Sequence, residues 1–491
     1  MVLSVTIIYN AIFVLVLSLV VIKEYSVLQK YHYEINKYFI HIKNNKRKYY
    51  YFLYFLLGVF VLKLDLLYLS LSLLLLLYLL RDYKLKYTNR VKRLLTINAI
   101  VLTIFIIFDW LKYVFILPFL YLLLVHFLSL CLEKILYFKY LKKAKKIVSD
   151  KYVIGITGSC GKTSVKNIIY DLMINDFNVT KTPKSYNNKI GIIKSINENI
   201  CKYDDYFICE YGVDKVGGMD KLVGIVKADM AIVTEIGNQH LLSFKSVNNI
   251  FKEKIKLIDN LKDNGVAIIN NDNKYLREYD YKGKSVFRYG IKYNSDVMGK
   301  NISLASNYSE FDLYIKNKYI ARVKTSLLSI HGVENLLCGI CACLCIGMDV
   351  EKILINIKNV TPVSHRLELK TISNIEVIDD SFNSNHKGFL EALEILSMSK
   401  KFKILITPGI IEQGNNNKNV SYSLAKNIME TCDFVYLVSD NVLYIKEYFD
   451  SYKYNKYSIE KSFIEAFEKA KKIDEDKIVL IENDLPDIYL K

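Results

Sequence analysis

The 491-residue sequence predicts an α/β protein in which a multi-helix transmembrane N-terminal domain precedes two α/β domains. Three observations support this fold class. Five apolar stretches fill the N-terminal part, a Gly-rich turn joins a β-branched run to a helical pattern at 152–174, and strand-like runs alternate with helical ones towards the C-terminus. We therefore expect a membrane domain at 1–146, a central domain at 147–363 and a C-terminal domain at 364–491.

Charge and cysteine content narrow the class of protein. Residues 1–150 hold 21 Lys and Arg against 7 Asp and Glu, so most of the net charge of +17 lies there. These basic residues border apolar runs, which is typical of loops that flank membrane helices and not of a nucleic-acid-binding face. We expect no nucleic-acid partner. The nine Cys lie mostly in apolar segments, which argues against a secreted disulfide scaffold.

The apolar stretches predict about five transmembrane helices, at 2–22, 49–62, 66–80, 94–108 and 113–132. The first and last have about 20 residues, enough to cross a hydrocarbon core. The middle three are shorter and could be buried core helices, but they have no polar face. The segments 23–48, 81–93 and 133–146, which would all lie on the same side of the membrane, are basic. By the positive-inside rule we expect a multi-pass protein of the cell membrane, in contact with membrane lipid, with residues 147–491 in the cytoplasm.

Residues 152–174 predict a strand, a Gly-rich loop and a helix that bind nucleotide. Gly158 and Gly161 would let backbone N–H groups surround phosphate oxygens at a helix N-terminus. Lys162 would reach the β- and γ-phosphates, and the Thr163 hydroxyl would ligate Mg²⁺. The strict GxxxxGK[ST] motif needs a glycine where Ile156 stands, so the loop is a variant, TGSCGKTS. We expect ATP to contact all eight of its residues: Thr157, Gly158, Ser159, Cys160, Gly161, Lys162, Thr163 and Ser164.

This variant resembles the phosphate loop of the Mur ligase family, the ATP-dependent amide ligases of peptidoglycan precursor synthesis. Further family-like motifs follow in the family's order, so that the resemblance covers residues 150–491. They are TPKSYNNKIGI (182–192), ICEYG (208–212), AIVTEIGNQHLLSFKS (231–246), HGVENLL (331–337), SHRLE (364–368), IDDSFNSNHKG (378–388) and TPGIIEQG (407–414). The Asn-Asn pair and the DDSFNSN run look most like the D-alanyl-D-alanine-adding (MurF-type) ligases. The resemblance implies a P-loop central domain and a Rossmann-like C-terminal domain.

The resemblance also implies roles for individual residues. Glu210 and His240 would hold Mg²⁺ together with Thr163, and carbamylated Lys254 would be an anionic ligand, so that two Mg²⁺ ions bind. Each residue could also have no role in metal binding. Glu210 would then be an exposed carboxylate at a strand end, His240 a loop histidine, and Lys254 part of a solvated helix face. Lys162, Lys254 and His240 are the expected catalytic residues. Asn335, Arg366 and Asp380 would contact adenine, phosphates and ribose, and the expected substrate-binding residues are Asn187, Asn188, Asn383 and Asn385.

The implied reaction forms an amide from a carboxylate and an amine, with ATP converted to ADP and phosphate through an acyl phosphate. The amine would be D-Ala-D-Ala or another amino acid or dipeptide, and the acceptor a muramoyl peptide. We find no counterpart of the family's UDP-holding N-terminal domain, so the acceptor is either UDP-linked or lipid-linked. A ligase for another amino-acid or peptide polymer is the main alternative. A P-loop ATPase coupled to transport is disfavoured, because such a motor has no reason to carry Glu210, His240 and Lys254 in the Mur order.

Four cysteines at 338–345 have a spacing that suggests a metal site. They are Cys338, Cys341, Cys343 and Cys345. Their offsets along an apolar helical run do not converge on one point, so we expect them to pack in a core.

Overall fold

The computed structural model describes residues 86–108, 118–237, 239, 241–382, 386–410, 417–438 and 442–483, with residues 22, 26, 27, 29, 30 and 43. The chain forms two compact units, residues 1–139 and 140–491. Apart from Ile22, the predicted apolar stretches 2–22, 49–62 and 66–80 lie outside the described residues.

The N-terminal helices α1 (Asn89–Ile107) and α2 (Pro118–Val148) do not have the properties of membrane spans. Within the described residues, no helix combines the length and the apolar content that crossing a membrane requires, so the predicted transmembrane domain and multi-pass membrane location are wrong. α1 has three basic residues among its first five, which leaves 94–107 uncharged. The uncharged part of α2, residues 118–132, stops at Glu133. Runs of this length extend only about 21–22 Å, against a hydrocarbon core of about 30 Å.

The central domain contains a nine-stranded sheet. Its strands are β1 (Tyr152–Thr157), β2 (Val179–Lys181), β3 (Tyr206–Glu210), β4 (Met230–Val233), β5 (Val266–Asn270), β6 (Ser285–Gly290), β7 (Val297–Leu304), β8 (Ser309–Ile315) and β9 (Lys318–Thr325). The spatial order is β2-β3-β1-β4-β5-β6-β7-β8-β9. Pairing is parallel from β2 to β7 and antiparallel from β7 to β9.

Eight helices connect or cover these strands in the described residues. They are α3 (Lys162–Met173), α4 (Lys189–Asn199), α5 (Gly218–Val223), α6 (Leu241–Phe244), α7 (Val247–Asp259), α8 (Lys274–Arg277), α9 (Ile330–Cys345) and α10 (Val350–Asn356). α3 packs on the sheet because Val165, Ile168, Ile169 and Leu172 recur at helical spacing and are buried.

The cysteine-rich helix α9 packs directly against α3. Cys338, Cys341 and Cys343 are buried in the same hydrophobic core as Ile168. The two helices approach closely at Gly339, where a Cβ atom would stand 2.6 Å from Ile168 Cγ2. The small residues of α9 therefore serve this close helix packing, as expected for the core interpretation.

The C-terminal domain has a six-stranded sheet in the order β10-β11-β15-β12-β13-β14. Its strands are β10 (Glu368–Ile372), β11 (Ile375–Asp380), β12 (Phe402–Thr407), β13 (Phe434–Val438), β14 (Tyr457–Glu460) and β15 (Lys477–Glu482), and its helices are α11 (His386–Ser397), α12 (Asn417–Thr431), α13 (Leu443–Ser451) and α14 (Phe463–Lys471). Only β10 is antiparallel. The α/β part of the predicted fold class is therefore confirmed.

The order of the central sheet brings three chain segments to one edge. β1, β3 and β4 are neighbours and run parallel, so their carboxyl ends meet although 76 residues separate Thr157 from Val233. Ligands of open α/β sheets bind at such edges. The phosphate loop after β1, Glu210 at the end of β3 and Thr234 after β4 all lie there.

Candidate active site

Two glycines of the phosphate loop stand where no side chain fits. Gly158 has φ +156°, and a Cβ atom there would lie 2.0 Å from Thr234 Oγ1. Gly161 has φ +79°, in the left-handed region, and a Cβ atom there would lie 2.6 Å from Asn335 Oδ1. Because neither glycine has a side chain, the backbone of the loop can approach the residue after β4 and the helix α9 closely. Asn335 of α9 therefore lies beside the loop.

The loop is fastened to the segment that follows β4. Ser159 N donates to Glu235 O (2.7 Å), and Gly237 N donates to Ser159 Oγ (2.9 Å). The Thr234 hydroxyl donates to the carbonyl of Cys160. These bonds fix the loop beside the N-terminus of α3, where the N–H groups of the first helical turn and the helix dipole favour an anion.

Lys162, the first residue of α3, folds over the loop. Its Nζ donates to the carbonyls of Gly158 (2.7 Å) and Ser159 (3.1 Å), and contacts Gln239 Oε1 at 3.4 Å. Burial lowers the pKa of this ammonium. The Lys162 ammonium therefore lies within the loop that the sequence predicts to bind phosphate, as this prediction requires.

Glu210 is buried and accepts three side-chain hydrogen bonds. Its Oε2 accepts from Thr163 Oγ1 (3.1 Å) and from Lys166 Nζ (2.9 Å), and its Oε1 accepts from Asn187 Nδ2 (2.9 Å). Burial alone would raise the pKa of this carboxyl, but the Lys166 ammonium and the Asn187 hydrogen bond outweigh it and hold the pKa below its usual range. Glu210 is thus an ionised carboxylate beside the phosphate loop, and not the exposed strand-end residue of the alternative.

Glu210 and Thr163 fit a magnesium ion by their chemistry and spacing. Mg²⁺ prefers oxygen ligands in an octahedron with Mg–O distances of 2.0–2.1 Å. Adjacent ligand oxygens of such an octahedron lie about 3 Å apart, and Thr163 Oγ1 and Glu210 Oε2 are separated by 3.1 Å. His240, another of the predicted ligands, lies outside the described residues.

Lys254 lies on the buried face of α7. It is 1% exposed, and its Nζ donates to Gly158 O at 2.8 Å. Burial, and then repulsion from the Lys162 ammonium, lower its pKa to about 7. Its neighbour Lys252 is exposed, and Lys256 pairs with Glu253 and Asp220. Lys254 is therefore separate from the solvated charges of its helix and reaches the phosphate loop.

The two residues of the Asn-Asn pair have different surroundings. Asn187 contacts Glu210, and a Cβ atom on Gly212 would lie 2.4 Å from Asn187 Cγ, so the glycine makes room for it. Asn188 is the N-cap of α4, and its Oδ1 accepts from Gly191 N at 2.9 Å. The structure therefore brings Asn187 to the site and gives Asn188 a helix-capping role.

Two predicted residues of the C-terminal domain are described. The Arg366 guanidinium lies over the Phe382 ring, with Cζ 4.8 Å from the ring centroid, and its positive charge contributes to lowering the pKa of Lys162. Burial raises the pKa of Asp380 to about 6, although its Oδ1 accepts from Leu367 N at 3.1 Å. The expected substrate-binding residues Asn383 and Asn385 lie outside the described residues.

Lys166 belongs to the site although the sequence did not single it out. It is 1% exposed and forms the ion pair with Glu210. Its position one helical turn after Lys162 was the available signal, since residues i and i+4 share a helix face. A lysine within a helix more commonly faces solvent, so only the fold distinguishes this one.

Comparison with known proteins connects this geometry to a family. Residues 156–343 match the family model of the Mur ligase middle domain. UDP-N-acetylmuramoyl-tripeptide–D-alanyl-D-alanine ligases from Buchnera aphidicola (subspecies Baizongia pistaciae) and Escherichia coli K12 are each 28% identical, over 54% and 53% of this chain, and the match covers 58% of each relative. The chain thus spans less than two thirds of the length of these relatives.

Solved structures show the same fold. The MurF ligase from Thermotoga maritima, determined in complex with ADP, superposes with a TM-score of 0.62 at 22% identity, over 71% of this chain and 80% of that one. A MurF structure from Acinetobacter baumannii has a TM-score of 0.64 at 21% identity, over 70% and 75% of the two chains. The resemblance deduced from the motifs is thus confirmed at the level of the middle domain and the fold: the chain carries a Mur ligase middle domain at residues 156–343 and has the Mur ligase α/β fold.

Proposed function

We propose that this chain is an ATP-dependent carboxylate–amine ligase of the MurF type, which adds D-alanyl-D-alanine or a similar amine to a muramoyl-peptide carboxylate in peptidoglycan precursor synthesis. The observation that carries the proposal is the meeting of the phosphate loop, Glu210 and Lys254 at one sheet edge. The relatives with D-alanyl-D-alanine ligase names support the choice of substrates.

The reaction has two steps. A carboxylate oxygen of the acceptor forms a bond to the γ-phosphorus while the bond to the β-phosphate oxygen breaks, giving an acyl phosphate and ADP. The neutral amine nitrogen then bonds to the acyl carbon while the bond from that carbon to the phosphate oxygen breaks. The nitrogen gives up one proton to the departing phosphate or to solvent, so that the amide and inorganic phosphate are released. Phosphorylation is needed because a free carboxylate is a poor acyl donor.

The residues of the loop would act by position and charge. Backbone N–H groups at the end of the loop and in the first turn of α3 would hold the phosphates, and Lys162 would neutralise the charge that spreads over the transferring phosphoryl group. Arg366 would add a second cation from the C-terminal domain, and Asn335 and Asp380 would hold adenine and ribose. A bound Mg²⁺ would supply electrostatic stabilisation of the same charge, and Thr163 and Glu210 are the described residues that would hold it.

Lys254 has the chemistry of a lysine that forms a carbamate. Only the neutral amine reacts with CO₂, and a pKa of about 7 leaves half of this buried group neutral at neutral pH. Carbamylation would convert it into an anionic oxygen ligand, which would allow a second Mg²⁺ with His240. We therefore propose carbamylated Lys254 as part of the holoenzyme.

Other amide-forming reactions remain the main alternative, since ligation of another amino acid or peptide polymer needs the same phosphate chemistry. We propose the domain limits 147–363 and 364–491 for the catalytic part. The carrier of the acceptor, a uridine nucleotide or a lipid, is settled by offering both forms to the enzyme.

The test is ligation by the purified full-length chain, supplied with ATP, Mg²⁺, D-Ala-D-Ala and either a UDP-linked or a lipid-linked muramoyl tripeptide. We expect amide product and phosphate in equal amounts. Lys162→Ala should abolish turnover. Lys254→Ala should lose most activity and regain part of it with a short-chain carboxylic acid, which would leave Lys162→Ala inactive because the group missing there is a cation.

Two outcomes would contradict the proposal. Normal ATP-dependent ligation by Lys162→Ala would remove the phosphate-loop assignment. Near-normal activity of Lys254→Ala without added acid would remove the carbamate. Lys252→Ala is the matched control, because it alters an exposed lysine of the same helix.

A further inference from the structure

Lys166 connects parts of the site that are distant in sequence. From α3 its ammonium reaches Glu210 Oε2 at the end of β3, at 2.9 Å, and also donates to the carbonyl of Lys184 in the segment 182–188. The same segment returns to Glu210 through Asn187 Nδ2, at 2.9 Å from Oε1. A closed ring of contacts thus joins the phosphate-loop helix, the carboxylate and the segment 182–188.

The segment is held in an unusual conformation at the contact with Lys166. Lys184 has φ +48°, in the left-handed region that residues with a side chain rarely adopt. Such backbone persists only where surrounding contacts determine it. Further along, Gly212 N donates to Asn187 O at 2.8 Å, which fixes the other end of the segment beside β3.

A purely structural role explains this arrangement poorly. The Lys166–Glu210 pair is about 1% exposed on both sides, and a buried ion pair is not by itself a good source of stability, since desolvation of both charges offsets their attraction. What the pair does provide is a fixed orientation. Glu210 Oε2 is shared between Lys166 and Thr163, which places the carboxylate edge towards the phosphate loop.

We infer that Lys166 is a positioning residue, which holds the Glu210 carboxylate and the segment 182–188 in one arrangement so that the metal-binding and acceptor-binding sides of the site form together. This inference rests on the proposed function, because the metal and the acceptor come from it. Lys166 does not touch the reacting atoms and acts through Glu210 and Asn187.

The test compares full-length Lys166→Met with wild type by binding. Mn²⁺ replaces Mg²⁺ and is titrated by electron paramagnetic resonance in the presence of a non-hydrolysable ATP analogue. Loss of a partner that orients a metal ligand typically weakens metal affinity about 10–100-fold, and we expect this range here. Binding of the analogue in EDTA should change less than about twofold, since the loop and Lys162 are intact. Amides of 182–188 should exchange hydrogen faster.

Lys151→Met is the matched control. Lys151 is also a buried lysine (8% exposed), and its Nζ donates to Lys202 O at 3.0 Å, at the other end of β1. It should leave Mn²⁺ affinity unchanged. Lys166→Arg keeps a cation with several donors and should restore most of the affinity. If Lys166→Met does not fold, Lys166→Gln takes its place with the same expectations, because its shorter amide cannot reach both partners.

The results of this test distinguish a failure of the proposed function from a failure of the role inferred for Lys166. If wild type fails to bind Mn²⁺ with the analogue, the proposed function itself is wrong. If wild type binds and the Lys166→Met protein binds equally well or more tightly, Lys166 is not a positioning residue. Equal weakening by Lys151→Met would show a general loss of stability and would likewise overturn the inference.

Discussion

Replacing Lys254 with Met should increase the stability of the fold at neutral pH in buffer free of carbon dioxide. Burial lowers the pKa of Lys254 from its ordinary 10.5 to about 7, with repulsion from Lys162 as the next cause. In the unfolded chain the amine is solvated and keeps its ordinary pKa. Between pH 7 and 10.5 the unfolded state therefore binds more protons than the folded state, and wild-type stability rises with pH across this window.

The magnitude follows from the size of the shift. One pKa unit corresponds to about 1.4 kcal/mol, so the whole shift is equivalent to about 5 kcal/mol. From pH 7 to pH 9, wild type should gain about 2 kcal/mol in free energy of unfolding relative to Lys254→Met. Effects of the lost Gly158 hydrogen bond and of the new side chain do not depend on pH, so they cancel in this comparison.

Urea titrations of both proteins at pH 7, 8 and 9, in degassed buffer, measure the free energy of unfolding. Lys252→Met on the exposed side of α7 is the charge-matched control. The reasoning is refuted if the stability difference between wild type and Lys254→Met stays constant over this range. Added bicarbonate should reduce the pH dependence of wild type, because a carbamate removes the amine from the titration.

Two further changes test other parts of the site. Gly161→Ala forces a side chain into φ +79° and to within 2.6 Å of Asn335 Oδ1. ATP affinity measured by calorimetry should fall about 5–30-fold, the equivalent of the 1–2 kcal/mol left-handed penalty, and unchanged affinity would contradict the loop geometry. For His331, burial lowers the pKa, but hydrogen bonds to Glu334 and Glu391 outweigh it and raise the pKa to about 10. Its stabilising contribution is therefore full below pH 6.5 and disappears as pH rises through 10. Thermal unfolding should show His331→Gln to be most destabilised near pH 6 and progressively less above it, whereas a loss independent of pH would disprove the charged pairing.

Elements of the site could be predicted from the sequence where the residues of one short segment are enough to determine its structure. The loop from Thr157 to Ser164 combines a buried strand, two glycines and a helix start, and each depends on neighbours within a few residues. Four strands of the C-terminal domain, β11, β12, β13 and β15, were recognisable for the same reason, since each is a largely buried apolar run between polar turns.

The membrane prediction failed because it rested on the apolar composition of each stretch and did not consider where the helices begin and end. In the sequence, residues 94–108 and 113–132 look like spans when the flanking charges are assigned to loops. In the structure Arg90, Lys92 and Arg93 lie inside α1, and Glu133 and Lys134 lie inside α2. The uncharged parts of these two helices, 94–107 and 118–132, are too short to cross a bilayer. Where a helix begins and ends depends on capping and packing, which hydropathy does not report.

The sequence by itself determined the Gly-rich loop between a strand and a helix, the alternation of strands and helices, and the order of motifs that resembles Mur ligases. Only the tertiary structure decided that Glu210 pairs with Lys166, that Lys254 is buried against Gly158, and that Asn187 rather than Asn188 turns to the site. The physical reason is that burial and charge pairing depend on which strand ends are neighbours. The strand order β2-β3-β1-β4, with α7 packed beside it, brings together residues as distant in sequence as Gly158 and Lys254. These are 96 positions apart, which is beyond the range of any local pattern.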